Sequence, residues 1–115
     1  WSRGVAPTLQ ALDLDELKGV KADVIDLRTL WPWDQAAVFE SAARTGRLLV
    51  VHEAVQVAGF GAEVAAAAAQ ATGCRIARLG APRIPVGYAQ SLENESRLIP
   101  QKIAAAVRQL LDRTR

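Results

Sequence analysis

Methionine is absent from the 115 residues, cysteine and histidine occur once each, and aromatic residues make up 5% of the chain. A single Cys excludes an internal disulfide framework. One Cys and one His together cannot supply the three or four nitrogen and sulfur ligands of a zinc site, and a site built from carboxylates alone is not signalled. No apolar run approaches the roughly 18 residues of a membrane span. The net charge of +2 is small, and no run of Lys and Arg is interleaved with aromatics, so neither membrane nor nucleic acid is implied as a partner. The opening Trp-Ser-Arg-Gly has no basic or apolar region of a signal peptide. With no Met at all, we expect a piece of a longer polypeptide.

What is present fits one ordinary globular domain. Half the residues are apolar and 23% are charged, enough for one core and too few residues for two. The charge is uneven: residues 1–71 carry six Lys/Arg against nine Asp/Glu, and residues 72–115 carry eight against three. Eleven of the fourteen cations are Arg, whose planar, weakly hydrated fork suits interface ion pairs. The basic end therefore reads either as a solvated helix or as a partner-facing surface.

Apolar spacing switches repeatedly between helical and extended periods. Val5, Leu9 and Leu12 predict a helix that tolerates Pro7 in its first turn. Residues 22–28, rich in branched side chains, predict a strand. Asp34 is a suitable N-cap for a helix that Gly46 stops. Leu48-Leu49-Val50-Val51 is apolar without alternation, as in a central strand covered on both faces. Gly59-Phe60-Gly61 opens a helix ending at Gly73, and 75–79 reads as a strand with Arg outward and apolar residues inward. A loop carrying Pro82, Pro85 and Gly87 leads to Pro100 and a last helix with Ile103, Val107, Leu110 and Leu111 on one face. This alternation predicts a three-layer α/β/α domain over residues 1–115 with a mainly parallel sheet. Because the order begins on a helix, the first crossover lacks its leading strand.

His52 and Glu53 end the predicted central strand, where α/β domains place their ligand sites. His52 could bind phosphate or act as acid or base, with Glu53 orienting it. Alternatively both satisfy loop and helix-terminus groups or sit at an interface. Adjacent strand residues point to opposite faces, which favours the second reading. The segment Gly59-Phe60-Gly61-Ala62-Glu63-Val64 has Val64 where a dinucleotide fingerprint needs its third Gly. Its glycines are better read as permitting a tight helix entry whose N-terminus could hold an anion or a partner's carboxylate. The five alanines at 65–69 allow close backbone approach, to the sheet or to a neighbouring subunit. A thiol and base pair of Cys74 and His52 lacks any oxyanion-hole segment beside it. Of the tryptophans at Trp31-Pro32-Trp33, we expect one exposed as an interface anchor and one lidding the core.

Several blocks, in this order and spacing, resemble one family. They are Val24-Ile25-Asp26-Leu27-Arg28-Thr29-Leu30 with Pro32 and Asp34, Thr45-Gly46-Arg47-Leu48, Val51-His52-Glu53-Ala54 and Gly59-Phe60-Gly61-Ala62-Glu63. Pro85, Tyr88-Ala89, Leu92-Glu93 and Ile99-Pro100 follow. From about Trp1 to Leu111 the chain is similar to the C-terminal domain of the β subunit of 2-oxo acid dehydrogenase E1 components, which act on pyruvate or branched-chain 2-oxo acids. It departs from the usual pattern at Val57-Ala58 and by the inserted residues 13–17.

The resemblance implies a transketolase-like C-terminal domain within a bacterial, cytoplasmic enzyme. Thiamine diphosphate and magnesium would bind between the preceding pyrimidine-binding domain and the E1 α subunit, and this domain would bind no cofactor itself. The enzyme would decarboxylate a 2-oxo acid and pass the acyl group to the lipoyl group of E2. The domain's share would be contact with a second E1 β subunit in a heterotetramer and docking of the E2 subunit-binding domain. Trp31, Trp33, Gly59, Phe60, Gly61 and Glu63 are the interface candidates, with His52 and Glu53 as accessory groups. The same domain in an acetoin-cleaving enzyme or a deoxyxylulose-phosphate synthase, and a free-standing anion- or nucleotide-binding domain, are the alternatives.

Overall fold

The computed structural model describes residues 1–85 and 89–112, with the side chains of Gln90, Leu92 and Glu95 left aside. Gly87 and Tyr88, and the terminal arginines Arg113 and Arg115, lie outside the described residues. After a 3-10 turn at Ser2–Gly4, the elements are α1 (Val5–Leu12), a 3-10 turn (Asp15–Leu17), α2 (Gln35–Thr45) and β1 (Arg47–Val55). Then come α3 (Phe60–Thr72), β2 (Arg75–Ala81), α4 (Gln90–Ser96) and α5 (Pro100–Asp112).

Local chemistry explains most boundaries. The Asp34 carboxylate accepts a hydrogen bond from the Ala37 amide at 3.0 Å, satisfying one of the orphan N–H groups at the start of α2. Gly46 and Gly73 end α2 and α3 in the left-handed region, at φ 70° and 64°, where residues with a Cβ pay a steric cost. Pro100 opens α5, since its missing N–H is not needed in a first turn.

β1 and β2 pair in parallel, with Arg47 beside Arg75 and Val51 beside Leu79, and α3 makes the crossover between them. The sequence of β1 distributes its apolar residues to two cores. Val50 and Leu48 pack with Leu27, Trp33, Val38, Val64 and Ala68 on the side of α2 and α3. Leu49 and Val51 pack with Ala11, Leu17, Ile103 and Ala104 on the side of α1 and α5. Helices therefore cover both faces of a parallel sheet, the expected α/β/α layering. Ala68 is fully buried, with Ala65 and Ala67 against the same core, so the alanine run lets α3 sit close to its own sheet.

Three expectations are corrected. Residues 22–28 are not a strand: they run without regular structure, and no backbone hydrogen bond joins them to β1. The segment is held instead through side chains. Leu27 enters the α2 and α3 core, and the Asp23 carboxylate takes hydrogen bonds from Ser41 and Arg44 of α2. Consequently β1 is not the centre of a sheet, because among the described residues it has a strand on one side only. Lastly, β2 does not alternate. All seven of its residues are half-buried, and Arg75 and Arg78, three apart, fall on opposite faces of a period-2 strand. The short helix α4 lies in the stretch read as loop.

Candidate functional site

The carboxyl end of β1 gathers the groups that the sequence singles out. β1 and β2 fall out of register there: Val51 pairs with Leu79 and Val55 with Ala81, so β1 accommodates two more residues than its partner. Such a bulge re-aims side chains and is frequent beside functional sites. The displaced residues are His52, Glu53 and Ala54.

His52 is completely buried and surrounded by glycine. A Cβ added at Gly61 would lie 2.4 Å from both Cδ2 and Nε2 of His52, and one at Gly59 or Gly80 would lie 3.0 Å from Cε1. None of these distances leaves ordinary van der Waals room, so the imidazole fits because three neighbours lack a side chain. Its exposed flank is closed by Trp1, stacked at 5.3 Å between centroids with the planes 10° apart. Phe60 meets Trp1 edge-on at 5.8 Å and Trp33 edge-on at 6.4 Å, and Trp33 meets Phe39 likewise at 5.8 Å. One aromatic cluster thus runs from His52 to α2 over the start of α3.

Among the described residues neither nitrogen of His52 has a hydrogen-bond partner. Burial lowers its pKa below the ordinary value, because the imidazolium would lose its hydration. The Arg78 guanidinium acts in the same direction, and the Ala54 peptide opposes it without reaching hydrogen-bond geometry. His52 is accordingly neutral near pH 7. Arg78 itself donates from Nη1 to the Gln56 carbonyl at 2.9 Å, tying β2 to the loop that follows β1.

The other candidates divide cleanly. Glu53 is exposed, as is Glu63. His52 and Glu53 are therefore not brought together, as opposite-facing strand neighbours should not be. Trp33 is 5% exposed and Trp31 80%, the division expected of the pair. Phe60, Gly59 and Gly61 belong to the aromatic and glycine packing around His52. Cys74 precedes β2 and lies near the amino end of β1 by register, whereas His52 is at its carboxyl end, about 20 Å away at the usual rise per residue. The two do not form a catalytic pair. No group of three or more His, Cys, Asp or Glu side chains among the described residues could hold a metal ion, and none of the described helices is long and apolar enough to cross a membrane.

Two contributors escaped sequence reasoning. Trp1 gave no local signal, since stacking on His52 is a long-range contact. Gly80 did give one, as an isolated Gly inside a strand pattern marks close backbone approach. A Cβ there would also meet the Ala54 carbonyl oxygen at 2.8 Å.

Comparison with known proteins adds the family. The family model described as transketolase, C-terminal domain, matches residues 1–103. The 2-oxoisovalerate dehydrogenase subunit beta of Bacillus subtilis is 37% identical over 109 residues, covering 90% of this chain and 33% of that protein. The mitochondrial pyruvate dehydrogenase E1 component subunit beta of Dictyostelium discoideum is 30% identical over 119 residues, covering 100% of this chain and 33% of its own length. A mitochondrial 2-oxoisovalerate dehydrogenase subunit beta from Chaetomium thermophilum is 61% identical over 49 residues, covering 43% of this chain and 10% of that protein. The chain spans a third of the length of the first two relatives.

Proposed function

The chain belongs to the transketolase C-terminal domain family, and from that premise we propose that it is the C-terminal assembly and docking domain of a 2-oxo acid dehydrogenase E1 β subunit. The observation that carries this reading is the alignment with the Bacillus subtilis subunit across 90% of the chain. In the proposal the intact enzyme is a bacterial, cytoplasmic heterotetramer of α and β subunits. It decarboxylates pyruvate or a branched-chain 2-oxo acid and passes the acyl group to lipoyl-E2.

The surface supports contact rather than chemistry as this domain's share. Its buried titratable group, His52, is sealed beneath Trp1, while Trp31 stands 80% exposed beside an exposed Leu30. Large exposed aromatics are the anchors that dominate association energies. Thiamine diphosphate supplies the carbanion chemistry of such enzymes when bound. Among the described residues no group of three or more His, Cys, Asp or Glu side chains could hold its magnesium, and the proposal assigns the cofactor to the rest of the enzyme. The proposal gives this domain no step of the reaction.

The test is coexpression of an E1 β polypeptide containing these residues with its α subunit, followed by native mass measurement and assay of thiamine diphosphate-dependent 2-oxo acid decarboxylation. A heterotetramer that decarboxylates, and that Trp31→Ala loosens without unfolding either subunit, is the expected result. Failure of the β polypeptide to enter a complex with α would sink the reading.

A further inference from the structure

The outer edge of β2, the one turned away from β1, has no strand beside it among the described residues. Two bonds on the inner side fix which backbone groups face that edge. The Arg75 N–H donates to the Gly46 carbonyl, and the Ala81 carbonyl accepts from the Gln56 N–H, each at 2.9 Å. Residues along a strand alternate in this respect. Positions 75, 77, 79 and 81 therefore turn their amides and carbonyls towards β1, and Ile76, Arg78 and Gly80 turn theirs outward. The outward Gly80 N–H is met by a side chain, with Gln56 Oε1 accepting from it at 3.4 Å. Among the described residues no loop or turn backbone bond reaches Ile76 or Arg78.

A cleft of about 380 Å³ lies between β2 and α5 at this edge. Residues 76–79 line it, about 10 Å of strand at the usual rise per residue. Ala106 and Leu110 of α5 give it apolar lining, and Gln56, Arg78 and Gln109 give it polar lining. Its charge is positive and uncompensated. Among the described residues neither Arg75 nor Arg78 has a carboxylate partner, and Arg75 stands beside Arg47 in register. Arg75 Nη1 is moreover buried with no hydrogen-bond partner among those residues. A guanidinium stays protonated, so a buried donor left in that state costs free energy.

We propose that the outer edge of β2 is a docking site for an extended acidic segment of a partner protein. The segment adds to the sheet as a strand, pairing with the outward N–H and C=O groups of Ile76 and Arg78. Alternate apolar side chains lie against Ala106 and Leu110, and carboxylates take the free donors of the arginines. A second copy of this chain does not suit the edge. β2 laid against β2 would set arginine opposite arginine, and like charges directly opposite destabilise a sheet. Charged residues also guard exposed edges against pairing, but a guarding charge is solvated, whereas Arg75 Nη1 is buried.

Fluorescence anisotropy on the full-length protein tests the site with a blocked heptapeptide alternating Val and Glu. It should bind about tenfold more tightly than a counterpart alternating Val and Lys, with the difference shrinking as salt rises. N-methylation of its amides, which keeps charge and side chains, should abolish binding. Gln109 is exposed on α5, so Gln109→Lys and Gln109→Glu should fold normally. They should strengthen and weaken binding of the acidic peptide by about threefold, the scale of one exposed charge pair. Equal binding of acidic and basic peptides, binding that survives N-methylation, or no binding at millimolar peptide overturns the proposal. Affinity indifferent to both Gln109 variants places the peptide elsewhere and overturns it too. Protection of 75–81 from hydrogen exchange that grows with protein concentration alone assigns the edge to a second copy, with the same result.

Discussion

The Trp1 indole lies nearly parallel on the His52 imidazole, 5.3 Å away, and completes an enclosure whose other walls are three glycines. The relationship joins the first residue of the chain to the end of its buried strand. Packing rather than hydrogen bonding holds the ring, because among the described residues both ring nitrogens are unpartnered.

Gly61→Ala should destabilise the domain by about 1–3 kcal/mol, the usual cost of overpacking a tight core. Its Cβ would fall on the imidazole and 3.2 Å from Val50 Cγ1, and a buried ring cannot swing aside. His52→Ala should also destabilise, by leaving a cavity. The two changes share one space, so the double variant should lose less than the sum of the singles. Urea unfolding of the four proteins measures the coupling. Additive losses would mean that Gly61 matters for some reason other than His52.

Acid should weaken the fold through the same residue. The folded pKa of His52 is lowered, chiefly by burial, against about 6.5 for an unfolded chain. Between those two values the unfolded state binds more protons than the folded one, so stability falls as pH drops through that interval. It is complete above about pH 6.5 and levels off below the folded pKa. Arg78 deepens the loss by repelling an imidazolium. Melting temperatures measured from pH 7.5 to 5 should fall for the parent chain. A His52→Gln variant, which cannot titrate, should start less stable and show a flatter profile; an unchanged slope would place the sensitivity elsewhere.

Much of this arrangement was legible beforehand because it depends on local rules. Asp34 and Gly46 bound α2 through capping and left-handed geometry, and the apolar run in β1 announces a strand covered on both sides. Residues 22–28 show where such rules stop. Their composition is that of a strand, but strand formation needs a partner edge, and side-chain anchoring by Asp23 and Leu27 decides their position instead. His52 was legible as a special residue and illegible as a buried one. Its environment is assembled from Trp1, Gly59, Gly61 and Gly80, residues brought together by the fold across most of the chain.

The paired tryptophans should separate stability from association. Trp33 packs edge-on against Phe39 and Phe60 and is nearly inaccessible, so Trp33→Ala should cost about 3–5 kcal/mol. Trp31 is 80% exposed, and Trp31→Ala should change stability by no more than about 0.5 kcal/mol. Calorimetric or chemical unfolding of both variants decides this. A large loss from Trp31→Ala would show that it braces the fold, which would remove it as a free interface anchor.

Asp23 offers a sharper test of why residues 22–28 stand where they do. Its carboxylate accepts from Ser41 Oγ at 2.6 Å and pairs with Arg44, and the Ser41 bond is the chief cause that holds its pKa below the ordinary carboxylate value. The stability it adds is present above the unfolded pKa near 4 and fades as pH falls through the lower, folded value. Asp23→Asn removes the charge while keeping the size. Because the pair is solvent-exposed, the global effect should be small and should shrink further in salt. The local effect should be larger: limited proteolysis within 22–28 should be faster in the variant, while cleavage elsewhere keeps the parent rate. Equal cleavage of 22–28 in the two proteins would mean that Leu27 alone fastens the segment to α2.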